Sequence, residues 1–471
     1  MNRRNGRSLG SLFLTVALVV LAGTPAAAQT FSSGSTGADG PFNPSSNTTL
    51  ALPPSGVFNF TTINIPAGVT VTFTKNAANT PVILLATGNV TIGGTINVSG
   101  TAGGPISRPG AGGPGGFDGG PGGDGVTTAL AGAGLGPGGA QAGTNCGGSG
   151  GSYGTQGTPA FGSCTAVGSA GPTYGSPLLR PILGGSGGSG GSAGGVPGIA
   201  GGSGGGGGGA LVIASSGSIT LSSGSQVLAD GGGAGQTGAS AGGGGSGGAI
   251  RLIANTITSA GNLFARVGAA GAFSGAGGLG RIRLEAYTLT ISTGSRTPEA
   301  TQGFPQPVFP AAGQPTLTIA SVGGIAGPAT PGGSFLAAPD ILLPTGTTNP
   351  VAVALTASNI PLGTVVQVTA TPQSGSKTTA TSSGLAGSVA SSTATASITL
   401  SLTQTNVLTA TATFPLVASL GTGPIYAEGL VPNPASGGIE GEEVTHVRVA
   451  AVFGGGSKVT YLTRSGREVA P

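Results

Sequence analysis

Residues 201–221 read GGSGGGGGGALVIASSGSITL: six consecutive glycines, Gly204 to Gly209, run directly into a segment of strand character. Glycine loses more conformational freedom on folding than any other residue, so the junction needs a physical reason. Beyond Gly209, apolar residues lead to Ala214 and then to a polar–apolar–polar triplet, Ser218-Ile219-Thr220. The pattern recurs in PVILLATGNVTI from Pro81, AIRLIANTITS from Ala249 and RIRLEAYTLTI from Arg281. Aligned on Ala86, Ala214, Ala254 and Ala286, the four segments are copies of one unit.

The other triplets are Asn89-Val90-Thr91, Thr256-Ile257-Thr258 and Thr288-Leu289-Thr290, and Thr70-Val71-Thr72 offers an earlier fifth. Side chains alternate across a strand, so each central apolar residue points inward and its neighbours outward. Short β-branched strands with Gly, Asn and Ser at the corners, and no helical period, predict an all-β chain built on a parallel β-helix, a solenoid. Its outward columns would carry Thr70, Thr72, Thr91, Thr220, Thr256, Thr258, Thr288 and Thr290 as the candidate binding residues.

Three glycine-rich inserts, 101–209, 231–248 and 268–280, interrupt the repeat at one point, just before an apolar strand. Neighbouring strands lie about 4.8 Å apart, so inserts leaving one edge must run side by side or diverge. Without Cβ atoms, extended polyproline-II-like runs approach closely enough to exchange backbone contacts. A cover is also expected because Ile83, Leu85, Leu211 and Ile213 fall at outward positions, whereas Arg251, Arg283 and Glu285 predict solvent exposure in the later copies. Cys146 and Cys164 are the only cysteines, and in an exported chain they predict one disulfide within the first insert.

Over about residues 40–300 the chain resembles right-handed parallel β-helix proteins. More narrowly, it resembles glycine-rich exported bacterial surface proteins whose solenoid rungs alternate with polyglycine-II-type tracts. The resemblance rests on architecture and implies a rigid, non-enzymatic fold. The threonine columns also resemble the arrays of β-solenoid ice-binding proteins.

Export is read from the N-terminus. Arg3, Arg4 and Arg7 precede an apolar run, Leu12 to Ala22, and a small-residue site ending at Ala28, the pattern of a signal peptide over 1–28. Removing those three arginines from sixteen basic against twelve acidic residues leaves a net charge of +1. No Lys/Arg run remains to bind phosphates, which excludes a nucleic-acid partner, and no second apolar stretch predicts a transmembrane segment in the mature chain.

Beyond the solenoid (29–300), Pro305, Pro307 and Pro310 mark a linker over 301–314. Alternating strands over 315–415 predict an Ig-like β-sandwich, resembling such modules of bacterial surface proteins. The remainder, 416–471, holds a terminal β-hairpin around a glycine loop and His446, the one histidine, read as an ordinary strand position.

Catalysis is not expected. Asp39, Asp118, Asp124, Asp230, Glu285 and Glu299 are scattered, with no two at equivalent repeat positions. Gly119 to Asp124 matches one GGxGxD calcium motif, but a calcium roll needs tandem copies, so neither metal nor cofactor is predicted. The expected role is presentation of a rigid surface to a cell-surface or matrix component, a polysaccharide or another copy of the chain. An ice- or crystal-binding protein is the alternative, and a degenerate polysaccharide-binding or polysaccharide-active β-helix comes third.

Overall fold

The computed structural model describes residues 30–125, 130–162, 164–193, 200–236, 240–310, 313–415, 444–452, 456–463 and 468–469. The signal peptide expected over 1–28 lies outside them. Every regular element among the described residues is a β-strand.

The repeats form an 8-stranded sheet in which all pairings are parallel. Arg281–Ile291 lies beside Ala249–Ser259, which lies beside Ala210–Leu221; Val82–Ala86 and Val90–Ile92 then pair with the two halves of Ala210–Leu221. Facing it is a 6-stranded parallel sheet of short strands running from Thr48–Ala51 through Thr70–Thr74, Thr95–Asn97, Gln226–Leu228 and Asn262–Phe264 to Arg296–Thr297. One apolar core joins both sheets, with Val82, Leu84, Leu211, Ile213, Ile250, Leu252, Ile282 and Leu284 meeting Val71, Ile96, Val227 and Leu263. Each such buried aliphatic side chain contributes about 1.5–3 kcal/mol, enough for stacked strands to hold without helices.

Two expectations about this sheet are corrected. Leu211 and Ile213 face the core, because Leu211 pairs with Val82 and Ile250, and Ile213 with Leu84 and Leu252. The outward residues of that strand are Val212 and Ala214, in register with Ile83 and Leu85. Ala86 and Ala254 pair with Ser215, not Ala214, so aligning the copies on alanine slips this one by a residue and flips every side chain. A register shift between Ala254 and Thr256 absorbs the extra residue, which restores the triplets to alignment.

Second, Arg251, Arg283 and Glu285 are not exposed; Glu285 is fully buried and Arg251 is 1% exposed. The segment expected to be a linker covers them: Thr301–Gly303 adds a strand beside Arg281–Ile291, and the Gln306 N–H donates to Glu285 Oε2 at 2.9 Å. Phe31 and Val308 pack on the neighbouring outward residues Leu85, Val212, Ala214 and Ile253.

Residues 316–415 form antiparallel strands in two sheets that share a separate core, including Val353, Leu355, Val366, Val368, Ala410 and Phe414. The C-terminal hairpin is not detached from them: Val444–Val452 pairs antiparallel with Asn406–Pro415, extending that sheet through Gly456–Thr463 to Glu468–Val469. Residues 416–443 lie outside the described part.

Candidate functional site

The glycine run that precedes Ala210 is hydrogen-bonded along its whole length. Gly201, Gly204 and Gly207 donate to the carbonyls of Gly123, Gly120 and Phe117, a run travelling the opposite way. Gly202, Gly205 and Gly208 donate to Ser240, Gly243 and Ser246, which travel the same way. Ser203, Gly206 and Gly209 donate to Gly104, Thr101 and Val98. Three further runs donate back: Gly110 and Gly113 to Gly204 and Gly207; Gly191, Gly188 and Gly185 to Gly202, Gly205 and Gly208; and Gly232 and Gly235 to Gly206 and Ser203.

The donors change partner with a period of three, the turn length of a polyproline-II-like chain, so successive N–H groups point in three directions. One run is thereby held among six neighbours. Such spacing leaves no room for side chains: a Cβ built at any of Gly204 to Gly209 would come within 3.0 Å of a neighbouring backbone carbonyl. Serine appears where its hydroxyl can join the network, as at Ser203, whose Oγ accepts from Arg108 and Gly122 N–H at 3.0 Å. The inserts return to the sheet in register, Ala249 N–H donating to Gly209 and Arg281 N–H to Gly248, both at 2.9 Å. Cys146 and Cys164 form the expected disulfide, with a Cα–Cα distance of 4.8 Å.

The glycines of the calcium-like motif belong to this packing, since Gly119, Gly120 and Gly123 donate to Gly110, Gly188 and Gly191. Among the described residues no group of three His, Cys, Asp or Glu side chains is placed to hold a metal ion.

The threonines fall on two surfaces. Thr91, Thr220, Thr258 and Thr290 stand in one column, each paired with the next. Thr256 and Thr288 stand in the second with Ser218. The intervening Val90, Ile219 and Ile257 are fully buried, while the flanking residues are half-buried or exposed, so the hydroxyls face outward. Thr70 and Thr72 are not part of this face; they lie in the 6-stranded sheet, where Thr70 pairs with Thr95 and the Thr72 and Thr49 hydroxyls are 2.8 Å apart.

Sequence reasoning missed the residues that extend the array. Ile63 pairs with Val90 and Asn64 with Thr91, which adds Asn64 to the first column and Thr62, next to Ile63, to the second; beyond them Phe42 pairs with Ile63 and the Asn64 amide donates to Asn43 Oδ1 at 2.9 Å. The signal was present in TTINI, residues 61–65, whose Thr62-Ile63-Asn64 is another polar–apolar–polar triplet. The face therefore includes Asn64, Thr91, Thr220, Thr258 and Thr290 in one column, and Thr62, Asn89, Ser218, Thr256 and Thr288 in the other. Strand geometry sets the grid at about 6.7 Å along a strand and about 4.8 Å between strands.

Charged groups are drawn into internal pairs. Glu285 accepts from Arg251 Nη2 at 2.9 Å and from Arg283 Nε at 2.7 Å. Desolvation holds the Arg251 guanidinium below its usual range, and its bond to Glu285 partly opposes this. Buried Asp118 accepts from the Gly112 N–H at 2.9 Å and from the Ser334 hydroxyl, and pairs with Lys75 at 3.5 Å. At the surface Arg266 meets Asp230, whose hydrogen bond raises the Arg266 pKa.

No protein-family model, curated protein or solved structure matches the chain. Among the described residues no helix is long and apolar enough to cross a membrane.

Proposed function

We propose that this is an exported, non-enzymatic structural or adhesive protein of the cell surface or matrix. In this reading the two parallel sheets are faces of a β-helix, the glycine runs form a polyglycine-II-type slab on one edge, and residues 315–415 with the C-terminal hairpin make an Ig-like module. The observation that carries it is the outward grid of hydroxyl and amide groups on a sheet whose opposite face is packed core. A flat grid on a rigid support binds repeating partners through many weak contacts at once, with little ordering cost.

The non-enzymatic part is supported by where the carboxylates go. Glu285 and Asp118, the buried acids of the sheet and the slab, already accept several bonds each and have no open approach. The partner is a polysaccharide, a matrix component or a second copy of the chain. Replacing Thr220 and Thr258 together with Leu should abolish retention on envelope polysaccharide and cell aggregation while leaving the fold intact. Unchanged retention and aggregation would reject the grid as the binding face.

The regular grid also favours a second reading, attachment to an ordered crystal such as ice. Thermal hysteresis or inhibited recrystallisation, lost in the same double variant, would select it; no effect on ice growth would dismiss it.

A further inference from the structure

Two aromatic side chains stand out from the glycine packing. Phe161 and Phe273 are 59% and 58% exposed, their ring centroids 6.0 Å apart and their planes tilted by 59°. They come from different inserts and are joined through the backbone: the Phe161 N–H donates to the Phe273 carbonyl at 3.3 Å and the Thr158 N–H to the Ala276 carbonyl at 2.9 Å. The Cys146–Cys164 disulfide closes the segment that carries Phe161, and the Cys164 N–H donates to the Gly162 carbonyl at 3.0 Å.

Phe273 has φ 58°, the left-handed region that a bulky side chain occupies only when its surroundings force it. Its loop is tied by the Gly271 N–H, which donates to Ser274 Oγ at 2.7 Å. Gly162 lies against the ring, where a Cβ would touch it at 3.3 Å. Glycine would suit the Phe273 backbone and is the commonest residue of the chain, yet the position carries a large apolar ring aimed at water. Strain of this kind, held by surrounding bonds, is characteristic of binding positions.

The chemistry around the rings narrows the partner. Residues 125–179 and 267–280, which contribute both rings, contain no charged side chain. A phosphorylated lipid, a nucleic acid or a polyanion would find no counter-charge there. Exposed hydroxyls and amides lie on these segments instead: Thr158 Oγ1 accepts the Ala276 N–H at 2.8 Å and keeps a lone pair, and Asn145, which donates to the Thr165 hydroxyl at 3.0 Å, keeps its carbonyl oxygen. We infer that the Phe161–Phe273 wedge is a binding tip for neutral polysaccharide. The C–H faces of a sugar ring pack against the electron-rich ring faces, and its hydroxyls reach the neighbouring amides and hydroxyls. The inference rests on the surface-binding reading for the partner's class alone; tip and grid use different residues, so each can fail without the other.

The test is co-sedimentation of the full chain with insoluble cellulose, chitin and mannan. Wild type should pellet with at least one of them, and Phe161→Ala and Phe273→Gly should each reduce apparent affinity about tenfold. Phe161→Tyr, which keeps the ring, should retain binding. Phe273→Gly should also raise the urea midpoint, since glycine relieves the strained φ; stability and binding then move in opposite directions. The Thr220/Thr258 variant should keep its tip binding. Failure to pellet with any of the three, equal retention of the ring-deleted variants, or ring-dependent capture by phosphatidylcholine vesicles instead would overturn the inference.

Discussion

Replacing Gly205 by Ala tests whether the glycine packing carries structure. The added Cβ would collide with backbone atoms of Gly232 and Gly233, not with a movable side chain. The Gly232 carbonyl cannot retreat freely, because it accepts the Gly245 N–H at 2.9 Å. Overpacking of this kind costs about 1–3 kcal/mol, and losing the buried hydrogen bond adds about 1–3 kcal/mol. Against this, alanine stabilises by about 0.4–1 kcal/mol through a less disordered unfolded chain. The expected net effect is therefore a loss of roughly 1–6 kcal/mol. Gly233 is the internal control: it lies in the next insert, but the nearest atom to its built Cβ is 3.8 Å away. Gly233→Ala should be neutral or slightly stabilising. Urea unfolding followed by circular dichroism separates the two variants. If Gly205→Ala is neutral or stabilising, the run is a flexible tether and the packing account is wrong.

Glu285→Gln should cost about 3–5 kcal/mol, because it leaves the Arg251 and Arg283 guanidinium groups buried without their carboxylate; a urea midpoint unchanged by the substitution would refute the pairing. Lys377, whose Nζ donates to the Gly139 carbonyl at 3.4 Å, has its pKa lowered by desolvation to about 8 from 10.5. Between those values the unfolded chain binds the proton that the folded chain has released, so stability should rise as pH increases from about 8 to 10.5. Lys377→Met should flatten that rise, as read from urea midpoints across the same pH range.

Much of this architecture is written in the chain's short-range pattern. A period of two, a recurring triplet and a fixed insertion point are local properties, so they reveal parallel strands and adjacent inserts without any knowledge of contacts. What stayed hidden depends on pairing. The two serines after Ala214 displace one copy by a residue, and only the register shows that Leu211 faces the core. Arg251 and Glu285 look like surface residues until strand register sets Arg251 beside Arg283, within diagonal reach of the Glu285 carboxylate, and the Gln306 segment covers them. Thr70-Val71-Thr72 carries the same signature as the grid triplets yet belongs to the facing sheet, because a triplet marks an outward strand and not which one. Thr62 and Asn64 are hidden for another reason: their lead-in, Val57–Phe60, pairs with Ile83–Ala86 but carries Phe60 where that copy has alanine.

The glycine run from Gly204 to Gly209 is a hydrogen-bonded interior element. Amide hydrogen exchange measured over Gly204 to Gly209 addresses it directly, with Ala210–Leu221 as the reference. Six amides that each donate to a neighbouring backbone carbonyl should exchange as slowly as those of the adjoining strand. Exchange through all six at the rate of an unstructured peptide would contradict the account.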